Sequence, residues 1–122
     1  MCAVSAPGTL LGCDLEAVEP RSEAFVADYF TEAEQAVICA EDSTMAAVHW
    51  SAKESALKAL GIGLGIDMRR LCVRLEDAAT GWNPLTVDYA GFRTFHGWWQ
   101  HEGGLVRTIA AAPAPNPPVP IA

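Results

Sequence analysis

The chain has 122 residues, room for one domain with a core that buries roughly two thirds of the surface of its unfolded form. Eight Lys and Arg stand against fifteen Asp and Glu, a formal charge of -7, so no basic stripe is available for a phosphodiester backbone and nucleic acid is not an expected partner. Although 51% of the residues are hydrophobic, no apolar run approaches the ~18 residues of a membrane span and MCAVSAPG lacks the pattern of a secretory signal, so a soluble, cytoplasmic protein without a membrane partner is expected.

Cys2 to Val4 and Leu10 to Glu16 read as extended, turning at Ala6, Pro7 and Gly8. In GCDLE, alternation puts Cys13 and Leu15 on one face and Asp14 and Glu16 on the other. Ser22 is placed to cap a helix through Tyr29, and Thr31 with Glu34 forms a capping-box pattern for another. Ser43 or Thr44 is expected to cap the longest helix, which runs to Leu60 with Gly61 as its stop. After the glycine-punctuated GIGLGID, strands are expected at Leu71 to Leu75, Leu85 to Tyr89, Phe92 to Trp99 and Leu105 to Ala111, separated by TGWNP, AG and HEGG. The pattern is α+β: a helix-rich first half and an antiparallel meander.

From Ala112 onward five prolines in eleven residues read as a polyproline-like tail, so residues 1–111 are expected to form the domain and 112–122 a tail or linker. The four cysteines lack metal or disulfide spacing and read as buried thiols. His49, His96 and His101 show no ligand spacing and are expected at the surface or beside a site. Phe25, Tyr29 and Phe30 are expected in the core, and Trp98 and Trp99 on opposite faces of their strand.

Asp14 and Glu16 leave one strand face with Cα atoms ~6–7 Å apart, and two such acids resist joint ionisation unless a cation lies between them. Mg²⁺ suits that chemistry, taking a few carboxylates and filling its shell with water and phosphate oxygens. Taken alone, the pair fits a wet strand face better than a metal site, because such pairs are common. In the helix segment WSAKESALKALG, Glu54 and Lys58 lie one turn apart and could be no more than a surface ion pair, yet Trp50 and Leu57 share their side.

GCDLE, then DYFTEAE (28–34), WSAKESALKALGIGL (50–64) and GWW before GGLVRTIA together resemble the 4'-phosphopantetheinyl transferases of the surfactin-synthetase-activating (Sfp) type. The resemblance extends over most of residues 2–112 and to the C-terminal half of that family only. It implies one half of the transferase fold, a long helix packed on a small antiparallel sheet. It also implies transfer of the phosphopantetheine arm of coenzyme A to a serine of an apo acyl or peptidyl carrier protein, with release of 3',5'-adenosine bisphosphate. Carried over by position, Asp14, Glu16 and Glu54 would bind Mg²⁺, with Mn²⁺ an alternative. Lys58 would meet the coenzyme A phosphates and assist the leaving group, Lys53 would be a second phosphate contact, and Glu54 the general base with Glu16 as substitute. Because the resemblance implies a site built between two halves, the other wall is expected from self-association, as a trimer or dimer, or from an N-terminal half. The competing expectation is a non-catalytic binding module that keeps the metal site.

Overall fold

A computed structural model describes residues 10–38, 43–61, 66–76 and 81–112. The stretch expected to be extended at 2–4, Cys2, Cys39, the centre of GIGLGID and the proline-rich tail lie outside the described residues. In chain order the elements are β1 (Leu10–Ala17), α1 (Glu23–Tyr29), α2 (Glu32–Val37), α3 (Ser43–Leu60), a 3-10 turn (Met68–Arg70), β2 (Leu71–Leu75), β3 (Asn83–Tyr89), β4 (Arg93–Glu102) and β5 (Leu105–Ala112). The fold is α+β: one five-stranded sheet in the order β1-β5-β4-β3-β2, antiparallel at every pairing, with the long helix laid along β1 and β5.

Local chemistry explains most boundaries. The Ser22 hydroxyl accepts from the Phe25 N–H at 3.1 Å to start α1. Thr31 and Glu34 form a reciprocal capping box on α2, at 3.1 and 2.8 Å. Ser43, an expected cap of α3, is instead its first helical residue. Strand β4 outruns the expected Trp99, because Gln100, His101 and Glu102 still pair with Arg107, Val106 and Leu105. The chain reverses only at Gly103 and Gly104, whose φ values of 59° and 76° suit the tight hairpin turn that follows the strand twist. Strand β1 sits at a sheet edge beside the last strand, with Asp14 opposite Thr108.

The core lies between the sheet and α3. Val48, Ala52, Ala56 and Leu57 pack against Leu71, Val87, Phe95, Val106 and Ala110. Alanine and serine on α3 permit a close approach: the Ser51 and Ser55 hydroxyls meet Thr108 Oγ1 at 2.8 and 2.5 Å, and Gly12 of β1 faces the backbone of Ser55 and Ala59. A Cβ at Gly12 would overlap Ser55 O and Ala59 N, backbone atoms that cannot rotate aside. Gly12→Ala is therefore expected to destabilise the fold by ~3 kcal/mol, the upper part of the overpacking range, read as a lowered urea midpoint. A change below ~0.5 kcal/mol would mean that β1 and α3 separate freely.

From Ala46 to Leu60 only Trp50, Glu54, Lys58 and Leu60 escape full burial. The first three form one stripe at four-residue spacing, and Leu57, read as part of that side, belongs to the core. A second cluster gathers Phe30, Ile38 and Ala46 with Phe25, Val26, Met45 and Trp50. Of the three aromatics expected in the core only Phe30 is fully enclosed, whereas Phe25 is half-buried and Tyr29 exposed. Their rings contact Trp50 at centroid distances of 5.1 and 5.3 Å. Trp99 points into the core and Trp98 is half-buried on the other face.

His49 is not at the surface, one of the two positions expected for it. It is buried, its Nδ1 lies 2.7 Å from the Met45 carbonyl, and its ring stands edge-on to Phe30. His96 and His101 are exposed. Cys13 and Cys72 are half-buried thiols.

Candidate functional site

Where β1 packs on α3, strand alternation turns Asp14 and Glu16 towards the helix, and helical spacing turns Glu54 and Lys58 back towards the strand. Asp14 is 6% exposed, and its Oδ1 accepts from Lys58 Nζ at 2.7 Å. Its other oxygen, Oδ2, is buried without a hydrogen-bond partner. The half-buried Glu16 carboxyl lies within hydrogen-bond reach of Asp14, so a proton on Glu16 can be shared with it, and Oδ2 lacks a partner while both acids are ionised. Glu54, one turn before Lys58, feels the Asp14 charge.

This crowding shapes the titration of the site. Glu16 is pushed up from an ordinary 4.5 to about 7, first by burial, then by Asp14 and more weakly by Glu54, with Arg21 opposing. Burial and Asp14 also raise Glu54, against the pull of Lys58. The bond to Asp14 raises Lys58, which stays cationic. Glu16, which holds its proton up to about pH 7, would yield it to a cation.

Among the described residues no three His, Cys, Asp or Glu side chains form a ready-made metal cage. The donor set nonetheless fits a hard divalent cation: oxygen ligands, mutual repulsion that a cation relieves, and the orphaned buried Asp14 Oδ2.

The linkage has a definite sign. With its folded-state pKa above the unfolded value, Glu16 contributes stability that is fully present below pH 4.5 and lost as the pH rises through about 7. The melting temperature without divalent cation is therefore expected to fall more steeply between pH 5 and 8 in the wild type than in Glu16→Gln. Added Mg²⁺ should raise it more at pH 8 than at pH 6, because the cation competes with protons for the same oxygens. A larger gain at pH 6 would contradict this electrostatic picture.

Lys53 is placed differently from its expected role as a phosphate contact. It is fully buried, and Nζ donates to Glu34 Oε1 at 2.6 Å, the Tyr29 carbonyl at 2.7 Å and the Met68 carbonyl at 2.9 Å. An ammonium group has three donors, and all three are used inside the protein. The same Glu34 carboxylate accepts from the backbone N–H of Thr31 and of Val73. Glu34 and Lys53 thus tie α1, α2, the 3-10 turn and β2 to α3, one residue before Glu54. The Thr-x-x-Glu spacing reveals Glu34 as a cap, but no local signal pairs it with a lysine nineteen positions on.

Arg21, which carries no expected role, lies over the Phe25 ring at 5.0 Å and exerts its charge on Glu16. A groove of about 430 Å³ lined by Arg74, Thr86, His96 and Trp98 shares none of the four site residues.

The family model of the 4'-phosphopantetheinyl transferase superfamily matches residues 10–111, which contain Asp14, Glu16, Glu54 and Lys58. Among solved structures the fold is similar to holo-[acyl-carrier-protein] synthase of Thermotoga maritima, with a TM-score of 0.59 and 23% identity. That similarity covers 83% of this chain and 61% of the synthase chain, so the chain spans about three fifths of its length. No curated protein matches the sequence. With the family match extending over nearly every described residue, the chain belongs to the 4'-phosphopantetheinyl transferase superfamily.

Proposed function

We propose that this chain carries the metal- and phosphate-binding wall of a phosphopantetheinyl transferase, which moves the arm of coenzyme A to a serine of an apo carrier protein. The observation that carries the reading is the pairing of Lys58 with a buried Asp14 whose second oxygen has no partner, flanked by Glu16 and Glu54. Family membership supplies the chemistry to which such a wall belongs.

In the reaction the serine oxygen bonds to the β-phosphorus of coenzyme A while the bond to the α-phosphate oxygen breaks, releasing 3',5'-adenosine bisphosphate. Glu54 takes the serine proton: it is half-buried, its affinity for protons is raised, and it lies on the accessible stripe of α3. Lys58, whose side chain is 52% exposed, reaches the departing phosphate and neutralises its growing charge. Asp14, Glu16 and Glu54 would hold Mg²⁺ or Mn²⁺, which when bound offsets the repulsion between the pyrophosphate oxygens and the nucleophile. Lys53 contributes by fixing the turn of α3 that bears Glu54, not by touching substrate.

Within the superfamily, we read the motif order as that of the Sfp type and of its C-terminal half. The opposite wall then comes from a second copy or from an N-terminal half. A non-catalytic module that keeps the metal site is the second reading.

Intact mass spectrometry of an apo carrier protein incubated with the chain, coenzyme A and Mg²⁺ separates them. The enzyme reading expects the mass gain of one phosphopantetheine group, with a rate rising more than linearly with chain concentration if copies must associate. No gain at any concentration, alone or with an N-terminal half supplied, leaves the binding module.

A further inference from the structure

Lys58 and the expected cation compete for one carboxylate. Asp14 is nearly enclosed on a paired strand, opposite Thr108, so its oxygens are fixed in space. Lys58 has a long side chain, half in solvent, on the open stripe of α3. Of the two partners the lysine is the one that can move. With its ammonium 2.7 Å from Oδ1, a divalent ion approaching the unpartnered Oδ2 would lie beside a positive charge. That repulsion falls off only as the inverse of distance and is weakly screened against a buried group.

We infer that Lys58 is an exchangeable stand-in for the cation: it holds Asp14 until a divalent ion takes the carboxylate, and is then handed over to the phosphates of coenzyme A. This rests on the metal- and phosphate-binding reading above and adds an order of events to it. Metal alone binds weakly, because Lys58 must first leave its bond to Asp14. Phosphate alone binds weakly, because the same lysine is engaged and three acids face the anion. Each ligand supplies what the other displaces, so their affinities rise together, as reciprocal linkage requires. A site with this property does not sequester metal or nucleotide singly, and closes on the metal–coenzyme A pair.

The test reads binding, not turnover, with MgCl₂, MnCl₂ and inorganic pyrophosphate titrated calorimetrically into the full chain and into Lys58→Met. Exchange predicts that the variant binds Mg²⁺ or Mn²⁺ about 3- to 10-fold more tightly without pyrophosphate, because a competitor has been removed, while pyrophosphate in saturating metal binds about 5-fold or more weakly. A lysine that merely orients Asp14 predicts the opposite sign for the metal, weaker or unchanged binding in Lys58→Met, and that result overturns the exchange while leaving the metal site standing. Failure of the wild type and the variant alike to bind either cation at pH 8 overturns the metal reading and the exchange with it.

A second readout needs no variant. The chain has two lysines and Lys53 is fully enclosed, so reductive ¹³C-methylation labels the Lys58 side chain and the N-terminus. Exchange expects the Lys58 methyl resonance to move on adding diamagnetic Mg²⁺ alone and to move again, to a different position, on adding pyrophosphate. A resonance that ignores Mg²⁺ while calorimetry shows the cation bound also overturns it.

Discussion

Lys53→Met is expected to lower the unfolding free energy by ~3–5 kcal/mol, the loss seen when one partner of a buried ion pair is removed and the other stays charged and enclosed. Against the ~5–15 kcal/mol that holds a domain of this size together, that is a large share, and the variant should fall well below the wild type in urea midpoint. The magnitude follows from geometry: the Nζ bonds to Glu34, Tyr29 and Met68 run from 2.6 to 2.9 Å with no exposed atom on the lysine side chain. Methionine matches the volume but leaves the Glu34 carboxylate charged and enclosed with only the Thr31 and Val73 N–H groups to hold it, and takes the ammonium donor from the Tyr29 and Met68 carbonyls. Adding Glu34→Gln to Lys53→Met should restore about 1–2 kcal/mol, because the side chain is then neutral while still able to accept a backbone N–H. Equilibrium unfolding of the two single variants and the double variant completes the cycle. A loss below ~1 kcal/mol in Lys53→Met would mean that the pair is dispensable and that Lys53 is free for another role.

That same lysine marks the limit of what the sequence could say. In WSAKESALKALG, Lys53 and Lys58 have the same residue type and nearly the same neighbours. Only partners 19 and 44 positions away, Glu34 and Asp14, distinguish a buried structural cation from an exposed one in the site. Helical periodicity does not help, because α3 is covered by the sheet on one side and by Phe30, Glu34 and Met68 on the other, so an apolar stripe is not needed to mark its buried face. His49 is buried for the same reason. Signals that act within three or four residues survived better: the Ser22 and Thr31 caps, and the alternation that places β2, β3 and β5 to within two residues. The meander was legible because each hairpin closes locally, whereas the pairing of β1 with β5 joins residues about ninety positions apart and leaves no local trace. The acids of the site were legible as residue types in a family-like order. Their geometry, with one oxygen of Asp14 held and the other orphaned, was not.

Glu54→Gln is expected to reduce turnover by ~10²–10⁴-fold while leaving coenzyme A affinity within about 3-fold of the wild type, measured under conditions in which the wild type transfers the arm. Glutamine keeps the shape and one ligating oxygen, so a cation retains Asp14, Glu16 and an amide oxygen, but an amide cannot take the serine proton. The comparison with Glu16→Gln makes the assignment specific. Burial and Asp14 push Glu16 up to about 7, yet Glu54 lies on the stripe with Trp50 and Lys58 that faces outward, where a carrier serine must approach. The pH profile supplies a further readout. Burial and Asp14 raise Glu54 above the ordinary carboxylate value, so wild-type turnover should climb with pH as this group ionises, and that rising limb should vanish in Glu54→Gln but persist in Glu16→Gln. Equal losses of turnover and affinity would make Glu54 a ligand only, and survival of the limb would move the base to Glu16.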